Sequence, residues 1–170
     1  MRNMIRLGWA IAAGAALFAA APALAQVPNR ISQNKDWGSY NFKGADGTLC
    51  YILSIPTVKT PPDRDHGEVF FTLTNHPGQG PTLEPQFMVG YPFRDDSKVV
   101  LAIDDKKFNM FTRGNNAWME NPAEEPLVVE AMKTGKSMVL TAESRRGTKT
   151  TYTYSLSGVS ASLKDILACK

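Results

Sequence analysis

Two cysteines are the first residues in this sequence whose type and placement could do chemistry: Cys50 lies inside the apolar run Gly47–Pro56, and Cys169 is one residue from the C-terminus. Two thiols can serve as a redox pair, contribute to a metal site, or form a structural disulfide. A redox dithiol needs Cys-x-x-Cys spacing, which this chain lacks. In an oxidising compartment two thiols pair, and two cysteines allow one intramolecular connectivity, Cys50 to Cys169. That bond would close a loop of about 119 residues, for which the chain-entropy model gives roughly 4–5 kcal/mol. The alternative is two free thiols, or thiols paired between molecules.

The remaining candidates are thinner. His66 and His76 are the only histidines, and each sits in a long polar loop, Thr57–Gly67 or Asn75–Pro85. With Asp63 and Asp65 they would compose a metal site only if those loops meet, and no second histidine stands at ligand spacing. Gly135-Lys136-Ser137 resembles the end of a phosphate-binding loop, but the position that needs the first glycine holds Glu130. No Gly-x-Ser-x-Gly elbow is present. The carboxylate pairs Asp95-Asp96, Asp104-Asp105 and Glu124-Glu125 are adjacent, which on a strand sends them to opposite faces. Turns and a helix start account for them better than acid–base work. The sequence therefore predicts no catalytic residue, no cofactor and no metal. Arg145 and Arg146, with Lys149 beside them, form a basic hairpin tip, to which Lys133 and Lys136 add if the fold brings them near. The tip is either a surface that recognises an anionic group or a solvated turn that keeps the protein soluble.

Compartment follows from the N-terminus. Arg2 and Arg6 precede an apolar segment, roughly Leu7–Ala21, and then Ala23-Leu24-Ala25 ahead of Gln26. Charged start, apolar middle and small residues make a secretory signal peptide, with cleavage expected between Ala25 and Gln26. About 15 apolar residues fall short of the ~20 that span a bilayer as a helix. Residues 1–25 thus read as signal peptide and 26–170 as a single exported domain with no transmembrane segment. Its length suffices for a substantial core. The whole chain's formal charge of +3 loses Arg2 and Arg6 on cleavage, leaving about +1, so nothing electrostatic points to nucleic acid.

The elements that must position these residues are mostly strands. Glu68–Thr74 alternates Val69, Phe71 and Leu73 with Phe70, Thr72 and Thr74, a period-two pattern. Trp37–Phe42, the run holding Cys50, Gln86–Tyr91, Val99–Ile103, Lys107–Thr112, Ala117–Met119, Ser137–Glu143 and Lys149–Leu156 complete the set. Asp104-Asp105 reads as a hairpin turn. One helix is expected between Glu124 and Gly135, with Pro126 in its first turn and Val128, Ala131 and Met132 as its apolar stripe. Val159, Leu163, Ile166 and Leu167 stand at helical spacing before Cys169. The fold class that follows is all-β: an antiparallel β-sandwich of about 8–10 short strands with one or two short helices.

Taken in order, Asp36-Trp37-Gly38, Cys50-Tyr51, Ser54-x-Pro56, Ala117-Trp118, Ala131-Met132-Lys133-x-Gly135, Ser144-x-x-Gly147-Thr148-x-Thr150, Tyr154-Ser155-Leu156-x-Gly158 and Cys169 resemble the invasion-associated locus B family. The likeness runs from about Asp36 to Cys169. It implies an exported β-sandwich of a Gram-negative bacterium, in the periplasm or near the outer membrane, with a link in pathogenic relatives to host-cell entry. Some relatives carry an additional early cysteine; Gly38–Lys43 holds none here. No catalytic residues carry over. The expectation is a non-enzymatic interaction protein with an envelope or host partner, and the alternative is a periplasmic small-ligand or metal-binding module.

Overall fold

A computed structural model describes residues 27–44, 47–76 and 83–169. The signal-peptide expectation, with Ala25 and Gln26, and the middle of the second long loop lie outside the described residues.

Eleven strands are described: β1 Asn29–Asn34, β2 Trp37–Gly44, β3 Gly47–Ser54, β4 Val58–Thr60, β5 Phe70–Asn75, β6 Leu83–Met88, β7 Lys98–Ile103, β8 Lys106–Arg113, β9 Asn116–Met119, β10 Ser137–Glu143 and β11 Lys149–Ser155. A 3-10 turn at Pro122–Glu124 leads into helix α1, Glu125–Thr134, and helix α2 spans Val159–Leu167. All ladders are antiparallel, in the order β1-β2-β3-β5-β6-β9-β8-β7-β10-β11-β4. The fold is all-β, as expected. Its two layers are halves of one continuous sheet, joined by the three-pair ladder Gln86↔Trp118 to Met88↔Asn116.

The halves face each other through aromatic rings. Phe71 of β5 packs against Tyr154 of β11 with centroids 6.1 Å apart, and Phe87 of β6 lies 5.4 Å from Tyr152. These inward residues are buried because period-two side chains on each half converge on the same interior. Trp37 closes one end, with its ring fully buried and its Nε1–H donating to Ser155 O at 2.9 Å.

Two strands exceed the sequence expectation, β1 and β4, and both are sheet edges. None of the six β1 residues is buried, so no apolar alternation marks it. β4 has three residues inside the first long loop and pairs only with β11. The second loop is shorter than expected, since β5 runs through Asn75 and β6 begins at Leu83. Pro85 lies in β6 before the ladder to β9 begins at Gln86.

α1 buries Val128, Val129, Ala131 and Met132. α2 buries Val159, Ser162, Leu163 and Ile166, but Leu167 is 53% exposed. Ser162 takes a core-facing position instead, because its hydroxyl donates to Trp37 O at 3.2 Å. Cys50 of β3 and Cys169, just beyond α2, are disulfide-bonded with Cα atoms 6.4 Å apart. Among the described residues no helix is long and apolar enough to cross a membrane.

Candidate functional site

The structure separates the two histidines and brings one of them to the basic hairpin. His76 Nε2 lies 3.1 Å from Glu84 Oε2, near the start of α1, where burial first, then Glu84, raises the Glu125 carboxyl. His66 is buried elsewhere, at 6% exposure, with both ring nitrogens engaged. The described residues hold no group of three or more His, Cys, Asp or Glu side chains able to share a metal ion.

His66 lines a cleft of about 660 Å3 built from three segments. The Asp63–His66 stretch of the first loop forms one wall, and the Ser144–Thr148 turn between β10 and β11 forms the opposite one. Gly90, Tyr91 and Pro92, just past β6, join them.

Backbone contacts make this arrangement rigid. Gly90 N donates to His66 O at 3.1 Å, and a Cβ at Gly90 would stand 2.6 Å from Gly67 Cα. The two chains therefore touch backbone to backbone, at a spacing only paired glycines permit. On the other side Arg145 N donates to Pro92 O at 3.0 Å, Arg94 N to Glu143 O at 3.0 Å, and Phe93 bridges to Ser144. Within the turn, Thr148 N donates to Ser144 Oγ at 3.1 Å.

A chain of polar groups underlies the cleft. Thr150 Oγ1 lies 2.6 Å from Tyr91 OH, Tyr91 OH 2.9 Å from Tyr152 OH, and Tyr152 OH 2.8 Å from His66 Nδ1. His66 Nε2 ends it 2.9 Å from Pro61 O. Burial is the main cause that pushes both phenols above their ordinary range; for Tyr152 the Tyr91 hydroxyl adds to it, and for Tyr91 hydrogen bonds partly offset it. Both rings are thus neutral hydroxyls at any physiological pH.

The rim is charged. Arg64, Arg145 and Arg146 face Asp63 and Asp65 around it. Asp65 Oδ1 is occupied by Gly67 N at 2.9 Å. The Arg64–Asp63 and Arg145–Asp95 contacts are long, 3.9 and 3.8 Å, and exposed. Such pairs hold a guanidinium weakly, leaving its fork of donors available to a ligand.

Of the basic residues that the sequence singles out, Arg145 and Arg146 line this cleft, whereas Lys149 is an exposed residue at the start of β11 and does not. Lys133 pairs with Glu130 on α1 at 2.6 Å and belongs to another surface. Sequence reasoning missed Tyr91, Thr150 and Tyr152, which read as ordinary strand residues. The one local sign was Gly90 beside Tyr91, a glycine at a strand end where no turn demands it. The adjacent carboxylates Asp95-Asp96 and Asp104-Asp105 occupy turns, and Glu124-Glu125 open α1. No protein-family model matches this chain, and searches of curated proteins and of solved structures return no match.

Proposed function

We propose that this chain is an exported domain that works by recognition rather than catalysis, at the cell envelope or a host-cell surface, as its resemblance to the invasion-associated locus B family implies. The observation that carries this reading is the cleft itself. Arg64, Arg145 and Arg146, from segments about 80 positions apart, line one cleft together with the hydroxyl-bearing Tyr91 and Thr150. His66 spends both ring nitrogens on protein partners, so it holds the floor in place and is not a free base. Two phenols kept protonated by burial serve as hydrogen-bonding groups. The disulfide favours an oxidising compartment, the periplasm or beyond it.

The test compares the oxidised protein with an Arg145→Ala/Arg146→Ala variant for adsorption to envelope fractions and to host cells. The variant should keep its unfolding free energy within about 0.5 kcal/mol, since both residues lie at a turn, and should lose most of the adsorption. Equal adsorption by both proteins would remove the cleft from the reading. A second reading, a periplasmic small-ligand module, is favoured by the size of the same cleft, which lies in the range of small-molecule sites.

A further inference from the structure

The hydrogen-bond chain beneath the cleft has five contacts and too few protons to fill them. Pro61 O only accepts, so His66 Nε2 carries a proton, and on a ring with that single proton Nδ1 is an acceptor. Tyr152 therefore donates to His66 Nδ1, Tyr91 donates to Tyr152, and Thr150 donates to Tyr91. Each hydroxyl has then used its single proton. The fifth contact, Thr150 Oγ1 with Ala142 O, is also the longest at 3.4 Å, and it is the one left without a hydrogen. Every O–H in the chain is spent on the next member of the chain. Thr150 Oγ1, buried at the floor, keeps lone pairs that none of the chain's hydroxyls fills.

The floor thus asks for a donor and the rim offers donors. We infer that the cleft recognises a sugar acid: a carboxylate taken by the Arg145 and Arg146 forks, with a neighbouring hydroxyl of the same unit donating to Thr150 Oγ1. A simple anion leaves the floor unfilled, and a neutral sugar leaves the guanidiniums unpaired. Asp63 and Asp65 do not reverse this preference. They are outnumbered by the three rim arginines, and Asp65 is already turned to the Gly67 amide. Uronic acid units of acidic polysaccharides have this chemistry. The inference rests on the recognition role proposed above and names its ligand class.

Amide NMR shifts of the oxidised protein should be followed with galacturonate, glucose and acetate at equal concentrations. Saturable shifts at Gly90, Tyr91 and Thr150 are expected with galacturonate and not with the other two. Thr150→Val should weaken galacturonate binding about tenfold, the worth of one hydrogen bond to a charged or polar partner, and Thr150→Ser should restore it. Ring nitrogen shifts should report His66 protonated at Nε2. Protonation at Nδ1, equal responses to acetate and galacturonate, or no response to galacturonate would each overturn the inference. The recognition role fails separately, if the double arginine variant still adsorbs to envelope and host-cell surfaces.

Discussion

Two polar networks lie at opposite ends of the chain's logic, one under the tail helix and one under the cleft. Beneath α2, Asp165 accepts from Ser32 Oγ, from Asn34 Nδ2 at 2.8 Å and from Ser39 Oγ at 3.0 Å. Asn34 also donates to Ser162 Oγ at 3.1 Å. All three donors converge on one oxygen, Oδ2, of an acidic side chain, so the bonds of this network are charge-assisted. It binds α2 to β1 and β2, beside the disulfide that ties Cys169, two residues past α2, to β3. Beneath the cleft, three hydroxyl protons and one ring proton serve five contacts and leave an acceptor at the buried Thr150 Oγ1. The network built on a carboxylate fastens elements together. The one built on hydroxyls lies beneath a cleft that can take something else.

The largest effect expected on this comparison is at the tail. Cys50→Ser and Cys169→Ser should each cost about 4 kcal/mol, equally, in denaturant unfolding under oxidising conditions. Reductant should bring the wild-type protein down to the same midpoint. A wide gap between the two variants would show that the link contributes something other than loop closure.

Next comes the glycine contact behind the cleft. A methyl at Gly90 would meet Gly67 Cα at 2.6 Å and His66 O at 2.8 Å, backbone atoms that cannot swing aside. Gly90→Ala should cost about 2–3 kcal/mol and abolish galacturonate shifts. Full stability in that variant would mean the two loops separate freely.

Asp165→Asn should cost about 1–2 kcal/mol, since it weakens charge-assisted bonds at a half-exposed site. The hydrogen bond from Ser32 is the main cause that lowers the Asp165 carboxyl below its ordinary range, and those from Asn34 and Ser39 add to it. A carboxyl lowered by folding stabilises the native state above its unfolded pKa, and that contribution fades as pH falls through the folded value. Wild-type stability should therefore drop more steeply than that of Asp165→Asn as pH falls below the ordinary carboxylate range. Parallel curves would place the tail network outside the folding equilibrium.

The smallest effects separate two neighbouring tyrosines. Tyr152→Phe removes the donor to His66 Nδ1 and should cost about 1–2 kcal/mol. Tyr154 OH is buried with no hydrogen-bond partner among the described residues, so Tyr154→Phe should be neutral or slightly stabilising. The same urea titration on both variants checks this. Equal losses would mean that the chain under the cleft contributes nothing beyond ring packing.

Much of the fold is legible in the residues because inward strands advertise themselves. β10 and β11 bury alternate side chains, and Leu140 and Tyr152 fall where period two puts them, while β5 buries Thr72 as well as Phe71 and Leu73. Edges do not, since β1 has water on its sides and owes its conformation to β2. The site is half legible. Arg145 and Arg146 stand at a turn that Gly147 announces, but Lys149 shares their charge without sharing their cleft. Periodicity marks Tyr152 as inward; it is silent on whether the hydroxyl at the ring's far end finds a histidine.

By itself, the amino-acid order determines an all-antiparallel body, a basic tip and one available thiol pairing, because strand period, turn residues and cysteine count are local or arithmetical properties. Tertiary structure alone decides that His66 meets Tyr152, 86 positions away, while His76 turns to Glu84. It also decides that Arg64 faces Arg145 and Arg146 across one cleft. Hydrogen-bond partners are chosen by distance and direction within a few tenths of an ångström, and those exist only once the two halves of the sheet have closed on each other.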